Sequence, residues 1–96
     1  MKLPLRVLIV DDHRLFRQGL LHLMQTRPDL VRVIGEAATG QEAVAMALRS
    51  QPDLVLMDIT MPEGSGLEAL ARIRDQLPDT AVVMLTASEQ DSDLQE

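Results

Sequence analysis

Four of the five prolines in this chain lie at nearly regular intervals, and their spacing restricts the folds that the chain can adopt. They are Pro4, Pro28, Pro52 and Pro78, and they lie 24 to 26 residues apart. An apolar run rich in β-branched residues follows each proline. Because proline cannot continue a helix, these positions mark points where a strand is about to begin. The predicted strands are residues 5–10, 31–36, 54–57 and 81–85.

Helical patterns occupy the three gaps between these strands. The last two helices open with capping boxes, Thr39 with Glu42 and Ser65 with Glu68, in which a hydroxyl residue precedes a glutamate by three positions. The apolar face of the third helix is predicted to consist of Leu67, Leu70, Ala71 and Leu77. Strands that alternate with helices predict an α/β fold, a doubly wound parallel sheet with right-handed crossovers.

Three of the predicted strands end in oxygen-bearing side chains. The first is followed by Asp11 and Asp12, the third by Asp58 and the fourth by Thr86. Sheets of this kind bind ligands beyond the carboxyl ends of adjacent strands, and a strand order of 2-1-3-4 would bring these residues together. Carboxylates packed closely repel one another, and an oxygen-preferring dication such as Mg²⁺ relieves that repulsion. Asp58 could then attack a phosphoryl donor, and Thr86 could hydrogen-bond the transferred group.

Composition argues against several other kinds of site. The chain has no cysteine, which removes disulfides, thiolate catalysis and cysteine-based metal centres. Its net charge of -6 argues against binding to a nucleic-acid backbone. No apolar stretch approaches the length of a membrane span. We interpret His13 and His22 as surface or capping residues, Arg17 as part of a solvated helix face, and Gly66 as a residue that lets a loop turn.

Three strings of residues resemble the receiver domain of two-component response regulators. They are residues 10–20, 57–66 and 85–88. The strings occur in the order that the family has, and the similarity covers essentially the whole chain. His13 after the acid pair, with Arg17 and Gly19 in the following helix, resembles the NarL/FixJ subfamily in particular. The resemblance implies the flavodoxin- or CheY-like fold with strand order 2-1-3-4.

The resemblance also implies a role for each candidate residue. Asp58 would be the phosphoacceptor for a sensor histidine kinase, and Thr86 would be the switch hydroxyl that moves toward the phosphate. Asp12 would bind Mg²⁺ directly, Asp11 would assist through water, and Asp58 and the Thr60 backbone carbonyl would be further ligands. The protein would be a cytoplasmic signalling switch rather than a turnover enzyme, without membrane contact. It would reach DNA only through a carboxyl-terminal output domain that is absent from this chain.

The chain departs from the receiver pattern in one respect. Receivers carry a lysine at the end of a fifth strand, whereas the only lysine here, Lys2, precedes the first strand. We therefore expect residues 1–96 to be a receiver without most of its fourth helix, its fifth strand and its fifth helix. The exposed fourth strand would favour a homodimer or a strand-paired or swapped oligomer.

Two alternatives to a phosphorylated switch follow from the same residues. One is a phosphorylation-incompetent interaction or dimerisation fragment of a receiver, because the lysine is missing. The other is a phosphohydrolase with an aspartate nucleophile. Such an enzyme generally needs a second acid two positions after the nucleophile, where this chain has Thr60.

Overall fold

The computed structural model describes residues 2–58, 61 and 65–85, and these form alternating strands and helices. The elements are β1 (Leu5–Val10), α1 (Arg14–Gln25), β2 (Val31–Ala37), α2 (Gly40–Ser50), β3 (Leu54–Asp58), α3 (Ser65–Gln76) and β4 (Ala81–Leu85). Each of the four predicted strands is present, and β2 and β3 are one residue longer than predicted. The proline spacing therefore located the strands correctly.

The strands form one parallel sheet in the order β2-β1-β3-β4, which confirms the predicted fold class and strand order. The register aligns the carboxyl ends of the inner strands, because Val10 of β1 lies beside Met57 of β3, and Met57 lies beside Met84 of β4. The residues that follow Val10 and Met57 are Asp11 and Asp58. The pairing of the strands therefore brings these two carboxylates to one edge of the sheet.

The two central strands of the sheet, β1 and β3, are largely buried, as expected for parallel strands with helices on both faces. The last four residues of β1 are buried, and so are Val55 and Met57 of β3. Strand β4 is more open, and its Val83 is 43% exposed. Among the described residues β4 is paired on one side only, to β3. Its outer edge is therefore the part of this sheet where further backbone pairing can occur.

The predicted apolar face of α3 is correct only in part, since Leu70 is half-buried and Leu77, just after the helix, packs against the core. Leu67 is 55% exposed and Ala71 is also exposed, whereas Ala69 and Ile73 are buried in the core. Leu and Ala residues occur on more than one side of this helix, so their spacing alone did not fix its rotation. The observed face places Ile73, a large β-branched side chain, in the buried core cluster.

The predicted cap of α2 at Thr39 is confirmed, but Glu42 reaches the residue before the cap rather than the cap itself, as a complete capping box would require. The Thr39 hydroxyl accepts a hydrogen bond from the backbone N–H of Glu42 at 3.1 Å, and the Glu42 carboxylate accepts one from the backbone N–H of Ala38 at 2.8 Å. Helix α3 begins at Ser65 as predicted, but the side-chain contacts of Ser65 lie outside the described part of the structure. None of the described helices is long and apolar enough to cross a membrane.

Candidate functional site

Two buried carboxylates define the candidate site. Asp58 is the last residue of β3, and Asp11 directly follows β1; each is only 2% exposed. The backbone N–H of Asp11 donates to the Ala37 carbonyl at 3.0 Å, which extends the pairing of β1 with β2 by one step. Buried acids are rare in proteins unless a hydrogen bond, an opposite charge or a metal ion compensates them. The position of these two residues therefore indicates a functional site.

Asp12 and His13 extend the site toward solvent. One donor atom from each of Asp11, Asp12, His13 and Asp58 lies within 4.8 Å of the others. The His13 Nδ1 atom is 3.1 Å from Asp12 Oδ1, 3.2 Å from Asp11 Oδ1 and 3.5 Å from Asp58 Oδ2. We call Asp11, Asp12 and Asp58 the acidic cluster. The imidazole of His13 therefore faces all three of its carboxylates.

The sequence interpretation of His13 was incomplete. His13 does occupy the capping position before α1, but its side chain makes no capping hydrogen bond there. Its backbone N–H instead donates to Asp11 Oδ1 at 2.7 Å. A carboxylate that accepts the N–H two residues ahead is a common local turn, and that turn directs the His13 side chain back toward the acids. The spacing of Asp11 and His13 was the signal that could have placed the imidazole in the site.

Burial and nearby charges raise the pKa values of Asp11 and His13. Burial raises the pKa of the Asp11 carboxyl, and the nearby Asp58 carboxylate raises it further, while the backbone N–H of His13 acts in the opposite direction. The hydrogen bond with Asp11 raises the pKa of His13, and the charge of Asp12 adds to this effect. The pKa of Asp11 is thus raised mainly because burial disfavours its charged form, whereas the pKa of His13 is raised by the carboxylates around it.

Arg17 holds the segment that follows β1, which carries Asp11. Its interpretation as part of a solvated helix face was therefore wrong. Its side chain is 18% exposed, and its guanidinium Nη1 donates to the backbone carbonyl of Asp11 at 2.6 Å. Its Nε donates to a Glu36 carboxylate oxygen on β2 at 3.3 Å. The side chain thus connects α1 to the end of β1 and to β2.

Gly66 permits a close approach of α3 to the site, and it lies in the helix rather than in a loop. A Cβ atom at this position would lie 3.1 Å from the backbone carbonyl oxygen of Asp58 and 3.5 Å from the Met61 methyl group. Met61 is itself buried in the core. A side chain at position 66 would therefore press on the backbone of Asp58.

The structure brings together Asp11, Asp12 and Asp58, three of the residues that the sequence predicted for the metal site. The other two predicted site residues, Thr60 and Thr86, lie outside the described residues. The donor set fits a divalent cation, because three carboxylates supply the oxygen ligands that Mg²⁺ requires, and the open side toward Asp12 leaves room for bound water.

Comparison with known proteins identifies the family. Residues 7–96 match the response regulator receiver domain, and the chain belongs to this family. The transcriptional regulatory protein YhcZ of Bacillus subtilis is 43% identical over 83 residues, which are 86% of this chain and 38% of YhcZ. The chain thus spans less than half the length of that relative.

Solved structures agree with this assignment. A two-component response regulator of the LuxR family from Aurantimonas sp. SI85-9A1 is 35% identical with a TM-score of 0.79, and the match covers 85% of this chain and 58% of that one. The signal receiver domain of NarL from Mycobacterium tuberculosis is 34% identical with a TM-score of 0.76, over 86% of this chain and 66% of that one. The NarL-like resemblance of the sequence is therefore confirmed.

Proposed function

We propose that Asp58 is the phosphoacceptor of this receiver domain and that the acidic cluster holds Mg²⁺ beside it. The observation that carries the proposal is the convergence of Asp11 and Asp58, both buried, at the carboxyl ends of two adjacent parallel strands. Doubly wound sheets bind their ligands at this place. Membership of the receiver family supports the same assignment.

The proposed reaction is a phosphoryl transfer. A carboxylate oxygen of Asp58 forms a bond to phosphorus, the bond from phosphorus to the donor's leaving atom breaks, and Asp58 becomes an acyl phosphate. Asp11, Asp12, Asp58 and the backbone carbonyl of Thr60 would hold the cation. When bound, Mg²⁺ would supply charge neutralisation between the carboxylates and the incoming phosphoryl oxygens. The Thr86 hydroxyl would donate a hydrogen bond to a phosphoryl oxygen.

The partners of the whole protein follow from this proposal. A sensor histidine kinase in the cytoplasm would be the phosphoryl donor, and a transcription-regulating domain would be the output. YhcZ, whose name describes a transcriptional regulatory protein, supports the second part. The unpaired outer edge of β4 in the described sheet supports a homodimer or a strand-paired or swapped oligomer. The relatives give no support to the alternative of a phosphorylation-incompetent interaction or dimerisation fragment.

The test is intact-mass analysis of the chain after incubation with Mg²⁺ and acetyl phosphate. We expect one phosphoryl adduct that requires Mg²⁺ and disappears in Asp58→Asn. Asp53→Asn is the matched control, because Asp53 directly precedes β3, at the opposite end of the strand from Asp58. Its carboxylate accepts the backbone N–H of Arg6 at 2.9 Å. The control should keep the adduct.

The outcomes separate the two interpretations of the chain. An adduct that persists in Asp58→Asn would contradict the assignment of Asp58. A folded wild-type chain that binds Mg²⁺ but forms no adduct would favour the phosphorylation-incompetent interaction fragment. Circular dichroism of each variant establishes that it is folded before the masses are compared.

A further inference from the structure

We infer that Arg17 is a positioning residue of the proposed site: it holds the backbone of Asp11 and so sets the Mg²⁺ concentration at which Asp58 is phosphorylated. This inference rests on the proposed function, because it assumes that Mg²⁺ binds beside Asp58. Arg17 lies on α1, outside the acidic cluster, and it acts through Asp11 rather than on the ion.

Asp11 lies just beyond the backbone pairing that fixes β1. The register of β1 with β2 ends at Val10 and Ala37, and its register with β3 ends at Val10 and Met57. The N–H of Asp11 still reaches the sheet, because it donates to the Ala37 carbonyl at 3.0 Å. The carbonyl of Asp11 instead accepts a hydrogen bond from Nη1 of Arg17 at 2.6 Å. One side of the Asp11 backbone is therefore held by the sheet, and the other side by a side chain of α1.

The Arg17 guanidinium is itself held from β2 and from the start of α1. Its Nε donates to a carboxylate oxygen of Glu36 on β2 at 3.3 Å. The backbone N–H of Arg17 donates to the His13 carbonyl at 3.0 Å, in the first turn of α1. A guanidinium is planar and presents its donors in a rigid fork, so contacts at Nε and Nη1 together define its orientation. Arg17 is thus an anchor for Asp11 that is fixed independently of the acidic cluster.

The position of the Asp11 backbone decides where the Asp11 carboxylate lies. Asp11 and Asp58 are both buried, so the packing around them leaves little room for compensating movements of their side chains. Asp11 Oδ1 also accepts the N–H of His13 at 2.7 Å, but this contact joins residues two apart and cannot replace an anchor outside the turn. Mg²⁺ requires near-ideal octahedral geometry, and groups in such sites must be held within about 0.5 Å of their productive positions. A loosened Asp11 backbone would therefore weaken cation binding.

The charge of Arg17 would have the opposite effect from its positioning contact. A guanidinium is always positive in proteins, and a positive charge near the acidic cluster opposes the binding of a cation. If Arg17 acted on the cluster through its charge alone, removal of the side chain would strengthen Mg²⁺ binding. If it acts by holding Asp11, removal weakens Mg²⁺ binding. The direction of the change therefore separates positioning from electrostatics.

The experiment measures the Mg²⁺ dissociation constant of the folded chain by calorimetric titration, in the absence of a phosphodonor. We expect Arg17→Ala to weaken Mg²⁺ binding by about tenfold, the lower end of the loss seen when a group that orients a metal ligand is removed. Arg17→Lys keeps the charge and a donor but not the planar fork, so its affinity should lie between those of the wild type and Arg17→Ala. Glu36→Gln leaves the contact with Asp11 in place and should change the affinity far less.

Thr80→Val is the control for a general loss of stability. It removes the buried hydrogen bond from the Thr80 hydroxyl to the Pro52 carbonyl, at 2.7 Å. These two residues lie before the first residues of β4 and β3, at the amino ends of the strands, whereas the acidic cluster lies at the carboxyl ends. Thr80→Val should therefore leave the Mg²⁺ affinity unchanged. Circular dichroism establishes that each variant is folded under the conditions of the titration.

The Mg²⁺ dependence of phosphorylation gives a second measurement. The initial rate of adduct formation with acetyl phosphate is followed by intact mass over a range of Mg²⁺ concentrations. In Arg17→Ala the half-saturating Mg²⁺ concentration should rise by the same factor as the dissociation constant. The rate at saturating Mg²⁺ should change far less, because Asp58 keeps its place at the end of β3. A loss of folded protein would instead lower the rate at every Mg²⁺ concentration.

The outcomes distinguish this inference from the proposed function. Mg²⁺ binding by Arg17→Ala that equals or exceeds that of the wild type would overturn the positioning role, while the cation site and the phosphorylation of Asp58 stand. Equal losses of affinity in Arg17→Ala and Thr80→Val would also overturn it, since reduced stability would then explain both. Failure of the folded wild type to bind Mg²⁺ would overturn the proposed cation site, and the role of Arg17 with it.

Discussion

Replacement of Arg17 by alanine tests how the loop after β1 is held in place. The contact between the Arg17 guanidinium and the Asp11 carbonyl is short, 2.6 Å, and largely shielded from solvent. A hydrogen bond from a charged donor of this kind contributes about 1.5–3 kcal/mol. The pair with Glu36 is longer, 3.3 Å, and more exposed, so it contributes about 0–1 kcal/mol. We therefore expect Arg17→Ala to lower the free energy of unfolding by about 2–3 kcal/mol.

The assay is urea denaturation followed by circular dichroism, with the slope of the transition compared among variants. Glu36→Gln is the matched control, because it removes the ionic partner and leaves the contact with the Asp11 carbonyl. It should cost no more than about 1 kcal/mol. Equal losses in Arg17→Ala and Glu36→Gln would refute the reasoning, since the contact with Asp11 would then add nothing to stability.

Three further predictions concern the rest of the fold and site. The buried Thr80 hydroxyl donates a hydrogen bond to the Pro52 carbonyl at 2.7 Å. Thr80→Val removes this donor and should lower the free energy of unfolding by about 1–3 kcal/mol in thermal or urea denaturation. An unchanged transition would contradict this. Asp11→Asn should lower the pKa of His13 in an NMR titration of the metal-free chain. That pKa is raised above the ordinary 6.5, so the stability from this contact is present below 6.5 and is lost as pH rises through the raised value. Val83→Lys should reduce self-association of the chain in sedimentation experiments, because a charge on an edge strand opposes pairing; a wild type that stays monomeric would count against the oligomer.

The sequence predicted correctly the features that depend on which residues follow one another along the chain. Prolines and apolar runs located the strands, and the positions of Asp11 and Asp58 at strand ends were sufficient to bring them together once the strands were parallel. The buried face of α3 was predicted only in part, because Leu67 and Ala69 are both apolar and only tertiary packing decides which of them is buried. The same limit applies to Arg17, whose partners lie on two other elements.

The loop after β1 connects the helix α1 mechanically to the site. Asp11 is held at three points: its N–H bonds to β2, its carbonyl accepts Arg17 of α1, and its carboxylate accepts the N–H of His13. Two of these three contacts come from α1 or from the residue that precedes it. A partner that shifts α1 relative to the sheet must therefore move the Asp11 backbone, the His13 imidazole, or both. Because the oxygens of Asp11 and Asp58 face the same nitrogen, such a shift would change the spacing of the carboxylates in the acidic cluster. If the cluster holds Mg²⁺ as proposed, binding of the ion would in turn favour one position of α1.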